Sequence, residues 1–134
     1  MIHLEIYIKN NEDKIDLLLY FYIERNDNMY QKLVRDKIPE IIKNNGEKPI
    51  TRILTDEEYK IELEKKLYEE YNEVIESSGP DRIEELADML EVISSLAIIE
   101  GESLDKVIEA AKIKTKKRGS FEQKIFLENV VKKD

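Results

Sequence analysis

The first 28 residues differ in pattern from the rest of the chain, because apolar and polar positions alternate over residues 2–8. The alternation has the period of a half-buried strand, with apolar positions at Ile2, Leu4, Ile6 and Ile8. The apolar run 15–23 is rich in aromatic and branched residues, which favours a returning strand, although a short buried helix also fits. We therefore expect an N-terminal β-hairpin extension over 1–28 and a main domain over 29–134. A second interpretation takes Met29 as the natural start.

Two shorter helices are predicted on either side of a long helical region. The first begins at an Asp36 cap, accepts Pro39 in its first turn and ends before Gly46, a residue suited to the position after a helix. The last begins at a Ser103 cap and runs to about Lys117. Both predictions depend on residues that cap or stop a helix rather than on apolar periodicity.

The two long helices between them have clearer signals. Thr55 and Glu58 have the spacing of a capping box, in which each side chain accepts a hydrogen bond from the other residue's backbone N–H. This helix should continue to about Glu76. The next helix begins near Pro80, a favoured first-turn residue, and ends near Glu100.

A glutamate interrupts the apolar stripe of the first long helix. Leu63, Leu67 and Val74 lie on one face, and Glu70 occupies the helical step between Leu67 and Val74. An unpaired buried charge costs several kcal/mol, so this position implies a cation, a basic partner or a solvent-filled cleft. Glu73, one turn onward, borders the same stripe.

A second pair of carboxylates repeats the three-residue spacing. Glu85 and Asp88 follow the break at 77–80, which should turn the second long helix back upon the first. Four carboxylates would then meet between antiparallel helices, and oxygen donors are the ligands that a hard cation such as Mg²⁺ prefers. Solvated helix faces and interhelical salt bridges are the alternative explanation, because 39% of the residues are charged.

The composition of the chain limits the kinds of catalytic site, location and partner that we expect. The chain has 134 residues, which suits one domain, and contains no cysteine and a single histidine, His3, so thiolate catalysis, a Ser-His-Asp triad and a multi-histidine metal site are not expected. No apolar run is long enough for a membrane span and no secretory signal is recognised, so we expect a cytoplasmic protein. The net charge of −8 argues against a nucleic acid polymer as partner.

Charge is unevenly distributed along the chain. Residues 56–91 contain fourteen acids and four bases, whereas residues 104–134 contain nine bases and five acids. An acidic centre followed by a basic tail suits a site that holds metal and phosphate together, although solvated surfaces give similar counts.

The second half of the second long helix has almost no polar face. Its apolar positions include Leu96, Ala97, Ile98 and Ile99. Such a helix is buried on most sides. In a chain this small the apolar surplus favours contact with another subunit, so we expect a homodimer or a higher homo-oligomer.

Four segments together resemble a known family. Residues 66–73 (Lys-Leu-Tyr-Glu-Glu-Tyr-Asn-Glu) and 84–90 (Glu-Glu-Leu-Ala-Asp-Met-Leu) resemble the two-part signature of the all-α nucleoside triphosphate pyrophosphohydrolases. That superfamily includes MazG, the dimeric dUTPases and phosphoribosyl-ATP pyrophosphohydrolase. Residues 32–42 and 117–122 resemble its small single-domain branch, described as house-cleaning pyrophosphohydrolases. The resemblance covers about residues 30–130.

The resemblance implies an all-α fold with a MazG-like helical bundle core. It also implies that Glu70, Glu73, Glu85 and Asp88 hold Mg²⁺, with Mn²⁺ as the alternative ion. The reaction it implies is hydrolysis of a modified or surplus nucleoside triphosphate to the monophosphate and pyrophosphate. Either Glu70 or Glu73 would orient the attacking water.

Basic residues near the end of the domain complete the implied site. Lys114 and Arg118 lie one helical turn apart and correspond to the basic residues that follow the acidic motifs in MazG-like proteins, so we expect them to bind the phosphates of the substrate. Two other functions stay open: phosphoribosyl-ATP pyrophosphohydrolase, which uses a similar site, and a non-catalytic helical module that binds metal or nucleotide without turnover.

Overall fold

The structure is a computed structural model that describes residues 31–134, and within them it is all-α. The four helices are α1 (Ile38–Asn44), α2 (Asp56–Glu76), α3 (Gly79–Ile99) and α4 (Leu104–Arg118), and no strand occurs in residues 31–134. The all-α prediction is confirmed for this part of the chain. The predicted β-hairpin over 1–28 and the domain boundary after residue 28 lie outside the described residues.

Helix α1 begins one residue later than the sequence predicts. Its N-cap is Lys37, without a side-chain capping bond, so the prediction that Asp36 caps this helix is wrong. The later start places Pro39 within the first two helical positions, where its missing N–H and fixed φ are best tolerated. The predicted end is confirmed, because Gly46 has a φ of +86° and donates a hydrogen bond to the Lys43 carbonyl.

The capping box at the start of α2 is confirmed. The Glu58 N–H donates to Thr55 Oγ1 at 3.2 Å, and the Thr55 N–H donates to Glu58 Oε1 at 3.2 Å. Arg52 adds a two-pronged contact, with Nη1 and Nη2 at 3.2 and 2.7 Å from the Glu58 carboxylate. Chiefly through these Arg52 hydrogen bonds, and next through the Thr55 N–H, the pKa of Glu58 falls from 4.5 to about 2. The same contact raises the pKa of Arg52.

The chain divides into two compact units at Tyr68 and Glu69, within α2, and the carboxylates of interest belong to the second unit. In that unit Ser77 and Ser78 separate α2 from α3. Ser77 Oγ donates to the Val74 carbonyl at 3.0 Å, and Arg82 Nε donates to the Ser77 carbonyl at 2.8 Å. Arg82 therefore supplies a positive group to the carbonyl end of α2, where the helix dipole favours a cation.

Helix α4 has the predicted boundaries to within one residue. Ser103 is its N-cap, although its side chain makes no capping bond. Gly119 follows the last turn with a φ of +85°, and its N–H donates to the Thr115 carbonyl at 2.8 Å. Three bases occupy the last turn of α4, where they oppose the negative end of the helix dipole. Beyond α4, residues 119–134 contain neither helix nor strand.

Few apolar side chains are buried. Those of the described residues are Leu63, Val92 and Ala97. The single chain leaves Leu86, Leu90 and Ile98 of α3 exposed, and the predicted cover by another subunit stays a prediction. Apolar periodicity shows which face of a helix avoids water, and it does not show which element covers that face. None of the described helices has the length and apolar character that crossing a membrane requires.

Candidate metal centre

The structure brings three of the four predicted carboxylates together. One carboxylate oxygen from each of Glu70, Glu85 and Asp88 lies within 4.8 Å of the other two. Glu70 comes from the last part of α2, and the other two come from α3, so the short break at Ser77 and Ser78 lets residues distant in sequence meet. We call this set the three-carboxylate group.

Glu70 has the environment that its place on the apolar stripe predicts. Its exposed fraction is 8%, and no other charged side chain among residues 31–134 is buried. Glu85 and Asp88 are half-buried. None of the three lacks an interaction partner within the chain. A cation at this position would therefore join or replace contacts that the carboxylates already make.

The spacing of the group fits a hard divalent cation. An ion at the centre of three oxygens separated by at most 4.8 Å lies no farther than about 2.8 Å from each of them. Mg²⁺ and Ca²⁺ take oxygen ligands at about 2.0–2.6 Å, so small rotations of the side chains would complete direct coordination. Clusters of acids also occur without an ion, so the spacing alone does not select Mg²⁺ over another cation.

The helix dipole does not explain why the group forms. Only Asp81 is acidic in the first turn of α3, whereas Glu85 and Asp88 lie in its second and third turns. The dipole acts mainly within the first turn of a helix. The closeness of these carboxylates therefore has a cause other than the dipole of α3.

Glu73 is not part of the three-carboxylate group. It is half-buried and lies three residues after Glu70, so its side chain belongs to the next turn of α2. The structure thus separates the first predicted pair: Glu70 joins Glu85 and Asp88, and Glu73 lies beside them along the helix. Its predicted role as a metal ligand stays a prediction.

The two predicted phosphate ligands are exposed on α4. Lys114 and Arg118 are four residues apart, which places them on one face of this helix. They make no ion pair with the three-carboxylate group in the part of the chain that the structure describes. Exposed bases are free to receive an anion, and their predicted role stays a prediction.

Sequence reasoning did not anticipate the contact of Arg82 with the α2 terminus. Arg82 lies in the first turns of α3, five residues after the Ser77 carbonyl that it contacts. The available signal was a single base among five acids in α3, placed just after a helix end that needed a donor. This hydrogen bond joins the first turn of α3 to the residue that follows the end of α2.

Comparisons with known proteins assign no family. No family model matches this chain, and no solved structure matches it. An uncharacterised protein of Mycolicibacterium smegmatis (strain ATCC 700084 / mc(2)155) is 49% identical to it over 43 residues. That match covers 32% of this chain and 44% of the relative, so the chain spans less than half of the relative's length. A function for this chain therefore has to be inferred from the residues of the site.

Proposed function

We propose that this protein is a Mg²⁺-dependent nucleoside triphosphate pyrophosphohydrolase with a MazG-like helical core of the house-cleaning type. The observation that carries the proposal is the three-carboxylate group, in which a buried glutamate of α2 meets two carboxylates of α3. The resemblance of the two acidic segments to the signature of this enzyme class supports the same function. The substrate class is a modified or surplus nucleoside triphosphate.

The donor set fits the cation that this reaction needs. Glu70, Glu85 and Asp88 would hold the ion through carboxylate oxygens, and the half-buried setting would limit competition from solvent. When bound, Mg²⁺ neutralises charge on the phosphate oxygens and makes a bound water more acidic. Mn²⁺ takes the same oxygen ligands and is the alternative ion.

Glu73 is the residue we assign to the attacking water. It lies one turn from Glu70 and outside the three-carboxylate group, so its carboxylate is available to accept a proton. Water would form a bond to the α-phosphorus while the bond from that phosphorus to the bridging oxygen breaks. Pyrophosphate leaves, and the proton lost by the water passes to Glu73.

The bases of α4 would bind the polyphosphate chain. Lys114 and Arg118 present two positive side chains on one helix face, and charge-assisted hydrogen bonds are the strongest that such groups offer to phosphate. Arg118 can bind two phosphate oxygens with its planar fork, whereas Lys114 acts as a point charge. A homodimer or higher homo-oligomer belongs to the same proposal.

The decisive experiment measures pyrophosphate release from a panel of canonical and modified nucleoside triphosphates with Mg²⁺. The variants are Glu85→Gln and Asp88→Asn, which keep side-chain size and remove one charge each. Asp81→Asn is the matched control, because Asp81 is an exposed acid on the same helix and lies outside the three-carboxylate group. We expect turnover in wild type and control and a loss of about 100-fold or more in both variants.

Three other outcomes of this experiment would reject the site or favour one of the two alternative functions. Equal rates in wild type and in both variants would reject the site. Triphosphate binding without release of pyrophosphate would favour the non-catalytic module. Turnover restricted to phosphoribosyl-ATP would place the enzyme among the phosphoribosyl-ATP pyrophosphohydrolases and remove the house-cleaning assignment.

A further inference from the structure

Helix α1 ends in two local hydrogen bonds. The Gly46 N–H donates to the Lys43 carbonyl at 3.0 Å, and the Glu47 N–H donates to the Ile42 carbonyl at 3.2 Å. These two bonds form a Schellman motif, which needs a residue with positive φ just after the helix. Gly46 meets that need with a φ of +86°, and nothing lies within 4 Å of the position that a Cβ atom would take there. The way in which α1 ends therefore explains why a glycine follows Asn45.

Asn45 and Gly46 also form a chemically reactive pair. The backbone nitrogen of the residue after an asparagine can attack the asparagine side chain, because the product is a five-membered ring. Glycine in that next position has no Cβ atom to obstruct the approach. Asn45 alone among the eight asparagines of this sequence precedes a glycine. The sequence thus directs this reaction to one position.

The end of α1 is accessible and weakly held. Asn45 is exposed, and no residue of this seven-residue helix is buried. Helices this short are marginal in water, because most helical stability in proteins comes from packing of an apolar face. Segments with few buried contacts open locally far more often than the whole protein unfolds. Asn45 is therefore placed where transient opening of the backbone is frequent.

The closed backbone, in contrast, holds the two reacting atoms apart. Asn45 has a ψ of 6°. The substituents of Cα are about 120° apart around the Cα–C bond, so this ψ turns the Gly46 nitrogen away from the Asn45 side chain. Ring closure needs a rotation of about 120° about that bond. Such a rotation breaks both hydrogen bonds that end α1, so the reaction requires the helix end to open first.

We propose that Asn45 is the site at which this protein deamidates, and that opening of the α1 end limits the rate. The Gly46 nitrogen forms a bond to Asn45 Cγ while the bond from Cγ to Nδ2 breaks, and ammonia leaves with the proton that the Gly46 nitrogen loses. Water then adds to one of the two ring carbonyls and breaks the bond between that carbon and the nitrogen. Breaking the Cγ–N bond gives aspartate. Breaking the bond from the backbone carbonyl carbon gives isoaspartate, in which the main chain runs through the former side chain.

Both products disfavour the closed end of α1. Each adds a negative charge at the carbonyl end of the helix, where the dipole favours a cation. Isoaspartate also lengthens the main chain by one methylene group, so the N–H groups of Gly46 and Glu47 no longer meet their carbonyl partners in the same geometry. The reaction is irreversible, and deamidated chains with a shortened α1 therefore accumulate as the protein ages.

The first test compares the rate of deamidation at Asn45 in the folded and in the unfolded full chain. The protein is incubated at mildly alkaline pH with and without guanidinium chloride, and its peptides are followed by mass spectrometry. We expect the folded chain to react about 10- to 100-fold more slowly, because two hydrogen bonds must open and each corresponds to a factor of about 2 to 10. Asn129 is an internal control: it is exposed, but the branched side chain of Val130 obstructs ring closure, so we expect it to stay intact in both samples.

Two lysine variants test whether the helix end sets the rate. Lys43 lies in the last turn of α1 and Lys48 lies beyond the helix, and both are exposed. Lys43→Gly should speed up deamidation of the folded chain by about three- to fivefold, because glycine has a lower helix propensity than lysine. Lys48→Gly removes the same charge outside the helix and should leave the folded rate unchanged. In guanidinium chloride both variants should react at the same rate.

The outcomes that would overturn the proposal are distinct. Equal rates in the folded and the unfolded chain would mean that the end of α1 does not protect Asn45. Faster reaction at another asparagine, or an intact Asn45 in the unfolded chain, would remove the site. An unchanged folded rate in Lys43→Gly, or equal acceleration by Lys43→Gly and Lys48→Gly, would reject opening of the helix end as the limiting step. These measurements involve no nucleotide, so their result does not depend on the proposed reaction.

Discussion

The Asp88→Asn substitution tests the three-carboxylate group most directly, because it removes one charge and keeps the size of the side chain. With oxygens within 4.8 Å of each other, a divalent ion at the centre lies at most about 2.8 Å from the Asp88 carboxylate. Even with the dielectric constant of water, the attraction between a charge of +2 and a charge of −1 at this distance is about 3 kcal/mol. Its loss predicts a Mg²⁺ dissociation constant about 100-fold higher.

The assay is urea unfolding over a series of Mg²⁺ concentrations at constant ionic strength. An ion that binds only the folded state stabilises it by about 2.7 kcal/mol at 100 times its dissociation constant. At the same Mg²⁺ concentration, a variant with 100-fold weaker binding gains only about 0.4 kcal/mol. The difference is well above the usual uncertainty between paired unfolding curves.

The control for this assay is Asp81→Asn, which removes an exposed acid from the same helix. Wild type and Asp81→Asn should respond equally to Mg²⁺. Two results would refute the reasoning: an Asp88→Asn variant with the wild-type Mg²⁺ response, or an Asp81→Asn variant that loses as much as Asp88→Asn. The second result would mean that Mg²⁺ acts through general charge screening.

Three other sets of side chains give outcomes that separate their roles. Glu70→Gln should weaken both the stabilisation by Mg²⁺ and the turnover of the triphosphate. Glu73→Gln should lower kcat by about 100-fold or more and leave the stabilisation by Mg²⁺ unchanged. If Glu73→Gln lost the stabilisation as well as the turnover, Glu73 would be a metal ligand. Lys114→Ala should raise KM for the triphosphate by about 10- to 100-fold, because one charge-assisted hydrogen bond is lost, and an unchanged KM would exclude Lys114 from the site. Glu58 has its pKa lowered from 4.5 to about 2, so its contribution to stability is complete above about pH 4.5 and is lost as the pH falls toward 2. Arg52→Ala should therefore lose less stability than wild type between about pH 5 and pH 2 in urea midpoints, and equal losses would contradict the role given to Arg52.

Local chemistry explains which parts of the fold could be predicted from the sequence. The capping box of Thr55 and Glu58 forms within four residues, so its prediction needed no knowledge of tertiary structure. The start of α1 was predicted one residue early, because Asp36 is a good cap but Pro39 favours a position nearer the helix start. Two local preferences competed there, and the sequence alone did not rank them.

In the site, too, features set by neighbouring residues could be predicted, whereas features set by tertiary packing could not. The place of Glu70 on an apolar stripe correctly predicted a buried carboxylate, and the break near Ser77 correctly predicted that α3 would return toward it. The spacing of Glu70 and Glu73 could not show which of them meets α3, because that depends on the direction in which α3 leaves the break. The exposure of Leu90 likewise depends on which element packs beside α3, and apolar periodicity does not identify that element.

The two-residue link between α2 and α3 makes the site sensitive to insertions. Each helical residue advances about 100° around the axis and 1.5 Å along it. One extra residue in α2 between Glu70 and Ser77 would therefore rotate Glu70 by about 100° away from Glu85 and Asp88. Four extra residues would restore its direction but displace it by about 6 Å, more than the spacing of the group allows. Insertions before Glu70 or after Asp88 are therefore compatible with this site. Insertions into the helical segments between Glu70 and Asp88 are not.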